Sequence, residues 1–122
     1  MKYTNIFADE KGETHFKDVK IELESVVFAP PAPAFMVSQF RPATQFAFTL
    51  FPSGWFGDWH PAPRKLVYFI LSGELECIVS DGERRIFGSG SIVLVEDTTG
   101  MGHVTRVEGS EDVITAVVQV DN

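Results

Sequence analysis

The chain has 122 residues, enough for one domain with a true hydrophobic core, and its 44% hydrophobic content is that of a soluble globular protein. Ten Lys and Arg against 17 Asp and Glu leave a net charge of −7, which argues against nucleic acid and against anionic membrane as partners. One cysteine, Cys77, excludes an internal disulfide and a Cys-rich zinc cluster, and no apolar run approaches the roughly 20 residues of a membrane span.

The first residues, MKYTNIFADEKGE, lack the apolar stretch of a signal peptide, so the expected address is cytoplasmic. In THFKDVKIELESV (14–26), Phe16, Val19, Ile21, Leu23 and Val26 alternate imperfectly with charge, which predicts one or two exposed strands. FAPPAPAF (28–35) holds three prolines and cannot pair as a central strand; it reads as an ordered, extended arm that packs on something. TQFAFTLFPSG (44–54) predicts a strand ending in a turn. A regular series follows: KLVYFILSG, ELECIVSDG, ERRIFGSG, SIVLVED, GHVTRVEG and DVITAVVQV. Each segment is short and β-rich, most end at Gly or Asp-Gly, and Asp81-Gly82 has the chemistry of a tight hairpin turn. Helix signals are nearly absent. The prediction is an all-β antiparallel sandwich or barrel over 1–122 as a single domain, with N-terminal strands and a Pro-rich arm over 1–43 and the barrel core over 44–122.

Two strands are apolar on both faces. Leu66, Tyr68 and Ile70 oppose Val67, Phe69 and Leu71; Val113, Thr115 and Val117 oppose Ile114, Ala116, Val118 and Val120. With no helices to cover a second face, a second sheet or a second subunit must do so, and a homodimer is expected.

The candidate site starts at WHPAPRKLVYFILSGE (59–74). This stretch and GSIVLVEDTTGMGH (90–103) resemble the two motifs of the small single-domain cupins, over roughly the last two thirds of the chain. The first cupin motif sets an H-x-H pair, a glutamate and a closing glycine at fixed intervals. His60 and Gly73 stand at its first and last positions, but Ala62 replaces the second histidine and Leu66 the glutamate. In the second motif Gly90, Gly100 and His103 match, while the middle is two residues longer and EDTT replaces the prolines. The resemblance implies a cupin-type jelly-roll β-barrel, usually dimeric, with His60 and His103 in one cavity.

In an H-x-H pair, residues i and i+2 of a strand share a face and bind one ion together. First-row metals need about three or four donors. Two imidazoles alone hold zinc, iron or nickel weakly, so the expected cofactor is none, with at most weak or substoichiometric divalent metal. Asp58, at i−2 from His60, and Glu96 or Asp97 in the longer loop are the candidates for a third ligand.

Three functions are compatible with these residues. The first is non-redox proton transfer on a small organic molecule, of isomerase, epimerase or lyase type. His60 is then the acid or base and His103 its partner, oriented by Asp97, Thr98 or Thr99. The second is small-molecule binding without turnover; the third is a metal-dependent cupin using an unorthodox carboxylate. Leu66, Tyr68, Ile70, Leu75 and Val79 are expected to form an apolar wall, with Trp59 beside it and Arg64 at the mouth facing a polar or anionic end of the ligand. Trp55 and Trp59 read more readily as core residues than as a ligand platform. Cys77 reads as a small core residue, His15 as solvated or interfacial, and Arg84-Arg85 as solvated.

Overall fold

Glycine and Asp-Gly punctuation divides the chain into twelve strands, and the computed structural model, which describes residues 1–120, has no helix among them. In chain order the strands are β1 (Lys2–Ala8), β2 (Thr14–Lys20), β3 (Glu24–Val26), β4 (Phe35–Val37), β5 (Ala43–Phe51) and β6 (Phe56–His60). The second half holds β7 (Leu66–Ser72), β8 (Glu74–Val79), β9 (Arg84–Phe87), β10 (Ile92–Val95), β11 (His103–Glu108) and β12 (Val113–Val120). A six-stranded sheet in the order β2-β1-β10-β7-β12-β5 and a four-stranded sheet in the order β6-β11-β8-β9 carry ten of them, and β3 pairs with β4 alone.

The all-β expectation holds, with two refinements. The sheets do not close into a continuous hydrogen-bonded barrel. They meet at a corner where the Ser80 N–H donates to Thr14 Oγ1 at 2.8 Å and the Asp81 N–H donates to the Thr14 carbonyl at 3.3 Å. The pairing is also not wholly antiparallel, because β1 runs parallel to β10, with Ile6 opposite Val95. β1 pairs locally with β2, but its parallel neighbour β10 lies some ninety residues away, and no local pattern announces it.

Strand alternation then places the core. Ile70 of β7, Val93 and Val95 of β10 and Val113 of β12 are buried, as are Leu75, Cys77 and Val79 of β8. Tyr68 and Leu66 pack against this cluster, while Val67 and Phe69 turn to the other face. On β12, Val113, Thr115 and Val117 are buried as the alternation requires. Val120 is buried too, against expectation, beside a register shift in which β5 spends one residue more than β12. Asp81-Gly82 forms the expected hairpin turn: Gly82 has φ 98°, and Asp81 Oδ1 accepts the Glu83 N–H at 2.8 Å. The prolines of the arm sit in the connection between β3 and β4, where Phe28 meets Phe35 and Phe40 with ring centroids 5.7 and 5.8 Å away.

His15 has a structural role that its sequence context hides. Its Nε2 lies 2.8 Å from Asp9 Oδ2 and its Nδ1 2.8 Å from Asp81 Oδ2, so the ring pins the β1–β2 turn to the β8–β9 turn. Both partners are acceptors, and the ring satisfies both only as the imidazolium. Hydrogen bonds to Asp9 and then Asp81 raise the His15 pKa. Asp9 is lowered chiefly by His15, and Asp81 by the Glu83 backbone N–H and then by His15. A raised histidine contributes stability in full below its unfolded value of about 6.5, and loses it as pH rises through the higher folded value. The lowered carboxylates contribute above their unfolded value of about 3.9 and lose that contribution as pH falls through the folded one. His15→Gln should therefore lower the melting temperature most between about pH 4 and 6.5, with a smaller difference by about pH 9. Melting curves of both proteins across that range check this, and a pH-independent difference contradicts it.

Candidate functional site

β6 and β11 bring His60 and His103 together as a cross-strand pair. The pairing is irregular: His103 opposes His60 and Thr105 opposes Gly57, so β6 spends one residue more than β11 over the same stretch. This β-bulge breaks the i, i+2 rule that placed Asp58 on the face of His60. The Asp58 backbone carbonyl accepts from His60 Nδ1 at 2.6 Å, and its carboxylate accepts the Trp59 N–H at 2.8 Å. Trp59 is 46% exposed and lies outside the cavity.

Gly102, directly before His103, makes the approach of the two strands achievable. It has φ 73°, and a Cβ there would run into the backbone of His60 and Pro61. The motif spacing singles out Gly100, whereas the strand contact depends on Gly102.

The imidazoles of His60 and His103 face each other, with ring centroids 5.0 Å apart. His103 is buried, and its Nδ1 lies 2.6 Å from Oδ2 of Asp97, which is fully buried. The Asp97 carbonyl also accepts the Ala62 N–H at 2.9 Å, tying the loop before β7 to the loop before β11. Among the described residues Oδ1 of Asp97 is buried without a hydrogen-bond partner, so the carboxylate rests on His103. Because a carbonyl and a carboxylate only accept, both histidines carry their proton on Nδ1 when neutral, and each is left with an Nε2 lone pair.

Both rings line a cavity of about 70 Å³ between the sheets. Its other walls are apolar: Trp55 and Phe51, in contact edge to face at 4.8 Å, then Ile6, Ile70, Leu75 and Phe87 among others. Tyr68, Cys77 and Thr105 add the remaining polar atoms. Burial raises the Tyr68 pKa, and it pushes the Cys77 thiol up to about 11, so both stay protonated near neutral pH. Thr105 lies 3.5 Å from the Cys77 sulfur and was missed in the sequence, although it stands two residues after His103 on the same strand face.

Several expected ligand contacts lie elsewhere. Arg64 donates to Gln119 Oε1 at 3.1 Å and, with Leu66, borders a separate surface groove beside β5. Among the described residues, the cavity lining contains no Arg, Lys, Asp or Glu. Val79 is wholly buried in the core but does not line the cavity, and Thr98 is exposed. Asp97 stands behind His103 rather than on the cavity wall. Trp55, read first as a core residue, is half-buried and forms part of the lining.

Several solved structures share this arrangement of strands. A cupin 2 conserved barrel domain protein from Salinispora arenicola matches with a TM-score of 0.51 at 17% identity, over 83% of this chain and 76% of that one. An RmlC-like cupin family protein of double-stranded β-helix fold from Methanocaldococcus jannaschii matches with a TM-score of 0.52 at 18% identity, over 84% and 91%. The fold is the cupin fold. A predicted oxalate decarboxylase from Thermotoga maritima matches with a TM-score of 0.50 at 19% identity, over 84% of this chain and 95% of that one. No protein-family model and no curated protein matches the chain.

Cupin motifs imply a metal, and the donors present do not fit one. Ala62, at the second histidine position, is buried in the core cluster, and Leu66, at the glutamate position, lies outside the cavity. None of the three carboxylates considered for rescue joins the histidines as a further ligand: Asp58 bonds its neighbour's backbone, Glu96 bonds Asn5 Nδ2 at 2.9 Å, and Asp97 holds His103 from behind. Among the described residues, the one group of three acidic, histidine or cysteine side chains with ligand atoms close enough for an ion is Asp9, Glu13 and His15, none of which lines this cavity.

Proposed function

We propose that this cupin-fold chain binds a small, mostly apolar, uncharged molecule with one polar group, and that His60 and His103 move a proton on it in a non-redox isomerase-, epimerase- or lyase-type step. The observation that carries this reading is the pair of Nδ1-anchored imidazoles on one otherwise apolar cavity. Two neutral imidazoles supply a base and, once one is protonated, an acid within reach of the same ligand. His60 is exposed and exchanges its proton with solvent, whereas His103 is buried and held by Asp97, which accommodates positive charge on that ring. The absence of cationic side chains from the lining favours a neutral ligand over the anionic one that Arg64 had suggested. About 70 Å³ accommodates only a few non-hydrogen atoms beside the histidines, and a longer ligand would extend past His60 to solvent.

The test has two steps. A thermal-shift screen of small neutral carbonyl and hydroxyl compounds identifies binders, and NMR in D₂O then follows deuterium incorporation into each. Exchange that depends on the protein supports proton transfer. Binding without exchange leaves a ligand-holding module, and no binder at all overturns both.

A further inference from the structure

The ring of His15 pins two turns together, but one carboxylate beside it takes no part in that contact. Asp9, Glu13 and His15 all belong to the β1–β2 hairpin, and their ligand atoms lie within 4.8 Å of one another. Asp9 Oδ2 stands 2.8 Å from Nε2 of the ring, and Asp81 Oδ2 stands 2.8 Å from Nδ1. The Glu13 carboxylate is exposed, and among the described residues it has no hydrogen-bond or ion-pair partner. Three carboxylates therefore surround one imidazole, and the cluster keeps surplus negative charge even when the ring is protonated.

The fold fixes three of these four side chains. Asp9 Oδ1 accepts the Lys11 and Glu13 N–H groups at 2.9 and 3.1 Å, which leaves Oδ2 for the ring. Phe7, opposite His15 in the strand register, packs on the imidazole with ring centroids 5.5 Å apart. Asp81 Oδ1 accepts the Glu83 N–H, and its Oδ2 meets Nδ1 from the other sheet. A neutral ring that donates Nδ1–H to Asp81 carries its lone pair on Nε2, on the side of Asp9 and Glu13. A carboxylate on the far nitrogen of a histidine is the common support of a metal ligand: it sets the tautomer, orients the ring and raises its basicity.

We propose that Asp9, Glu13 and His15 form a surface site for a divalent ion of the zinc class, with Asp81 holding His15 in the tautomer that binds it. The ion takes the place of the Nε2 proton, which leaves to solvent. Donors about 2.0 Å from a tetrahedral ion stand about 3.3 Å apart, so Nε2 and Asp9 Oδ2 part by about half an ångström while the unpartnered Glu13 carboxylate swings in. One imidazole nitrogen with carboxylate oxygens suits zinc, cobalt or nickel, whereas calcium and magnesium take oxygen shells of about six or more. The site is separate from the cavity and does not rest on proton transfer there. It does fasten a turn on which the loop before His103 leans: the Met101 N–H donates to the Gly12 carbonyl at 2.8 Å, and Thr14 Oγ1 donates to the Gly102 carbonyl at 2.6 Å.

Zinc chloride titrated into the metal-stripped full chain near neutral pH, followed by the nitrogen-15 spectrum of the imidazoles, tests the proposal without any variant. The His15 Nε2 resonance should move and saturate at one zinc per chain, while His15 Nδ1 keeps its proton and the resonances of His60 and His103 stay in place. The melting temperature should rise with zinc. Magnesium chloride at the same concentration should move none of the three rings. Glu13→Gln should weaken zinc binding, and Asp81→Asn should weaken it by about 10–100-fold with the same His15 resonance still moving. A His15 spectrum indifferent to zinc in several-fold excess leaves the cluster as an ion pair only and overturns the site. Zinc that moves His60 or His103 first places the ion in the cavity and overturns it too. An equal response to magnesium overturns the zinc class, and unchanged affinity in Glu13→Gln overturns the three-ligand set.

Discussion

His103→Ala is expected to lower protein-dependent deuterium exchange into a bound ligand by about 10²-fold or more, the usual contribution of an acid–base residue. His60→Ala should fall in the same range. Removing the His103 ring also leaves the Asp97 carboxylate, already without a partner at Oδ1, buried with no side-chain hydrogen bond. A destabilisation of about 1–3 kcal/mol should accompany the rate loss, so rates are compared well below the melting temperature of the variant. Asp97→Asn separates orientation from contact. Asp97 is off the cavity wall, so this variant should keep the ligand-induced melting shift while exchange falls. Exchange that survives both histidine replacements removes proton transfer from the reading. A modest loss of affinity with no exchange in any variant leaves binding alone.

The second large effect concerns Gly102. Gly102→Ala forces an alanine into left-handed backbone at a cost of about 1–2 kcal/mol. It also drives a methyl group into the backbone of His60 and Pro61. Overpacking of that kind adds about 1–3 kcal/mol, so the melting temperature should fall by on the order of 10 °C in a domain of this size. Gly109→Ala is the control: φ is 79°, and a Cβ there meets nothing within 4 Å. It should show the backbone cost alone. Of the two variants, only Gly102→Ala should also lose ligand binding, because parting β6 from β11 parts His60 from His103. Equal effects at the two glycines would contradict this account of the strand contact.

What the sequence disclosed, and what it hid, follows from the range of each interaction. Period-two alternation within β7 assigned both of its faces, and Asp81-Gly82 announced its own turn, because both are local. The spacing of His60, Gly73, Gly100 and His103 carried the resemblance from which the meeting of the two histidines was expected. The bulge in β6 was not legible: its extra residue turns Asp58 and Trp59 away from the cavity, and alternation alone had placed Asp58 beside His60. Arg64 and Leu66 were displaced from the expected site for a tertiary reason. The chain entering β7 passes alongside β5 and β12, where Arg64 finds Gln119. The parallel pairing of β1 with β10 was beyond any local pattern, and with it the contribution of Ile6 to the cavity wall.

The most direct test of the site is the nitrogen-15 spectrum of the imidazoles of His60 and His103, recorded with and without a ligand from the thermal-shift screen. The account predicts, in the neutral rings, a proton on Nδ1 and a bare Nε2 in both residues, with both Nε2 resonances moving on ligand addition while Nδ1 keeps its proton. A bare Nδ1 in either ring, or a bound ligand that leaves both Nε2 resonances in place, would contradict it.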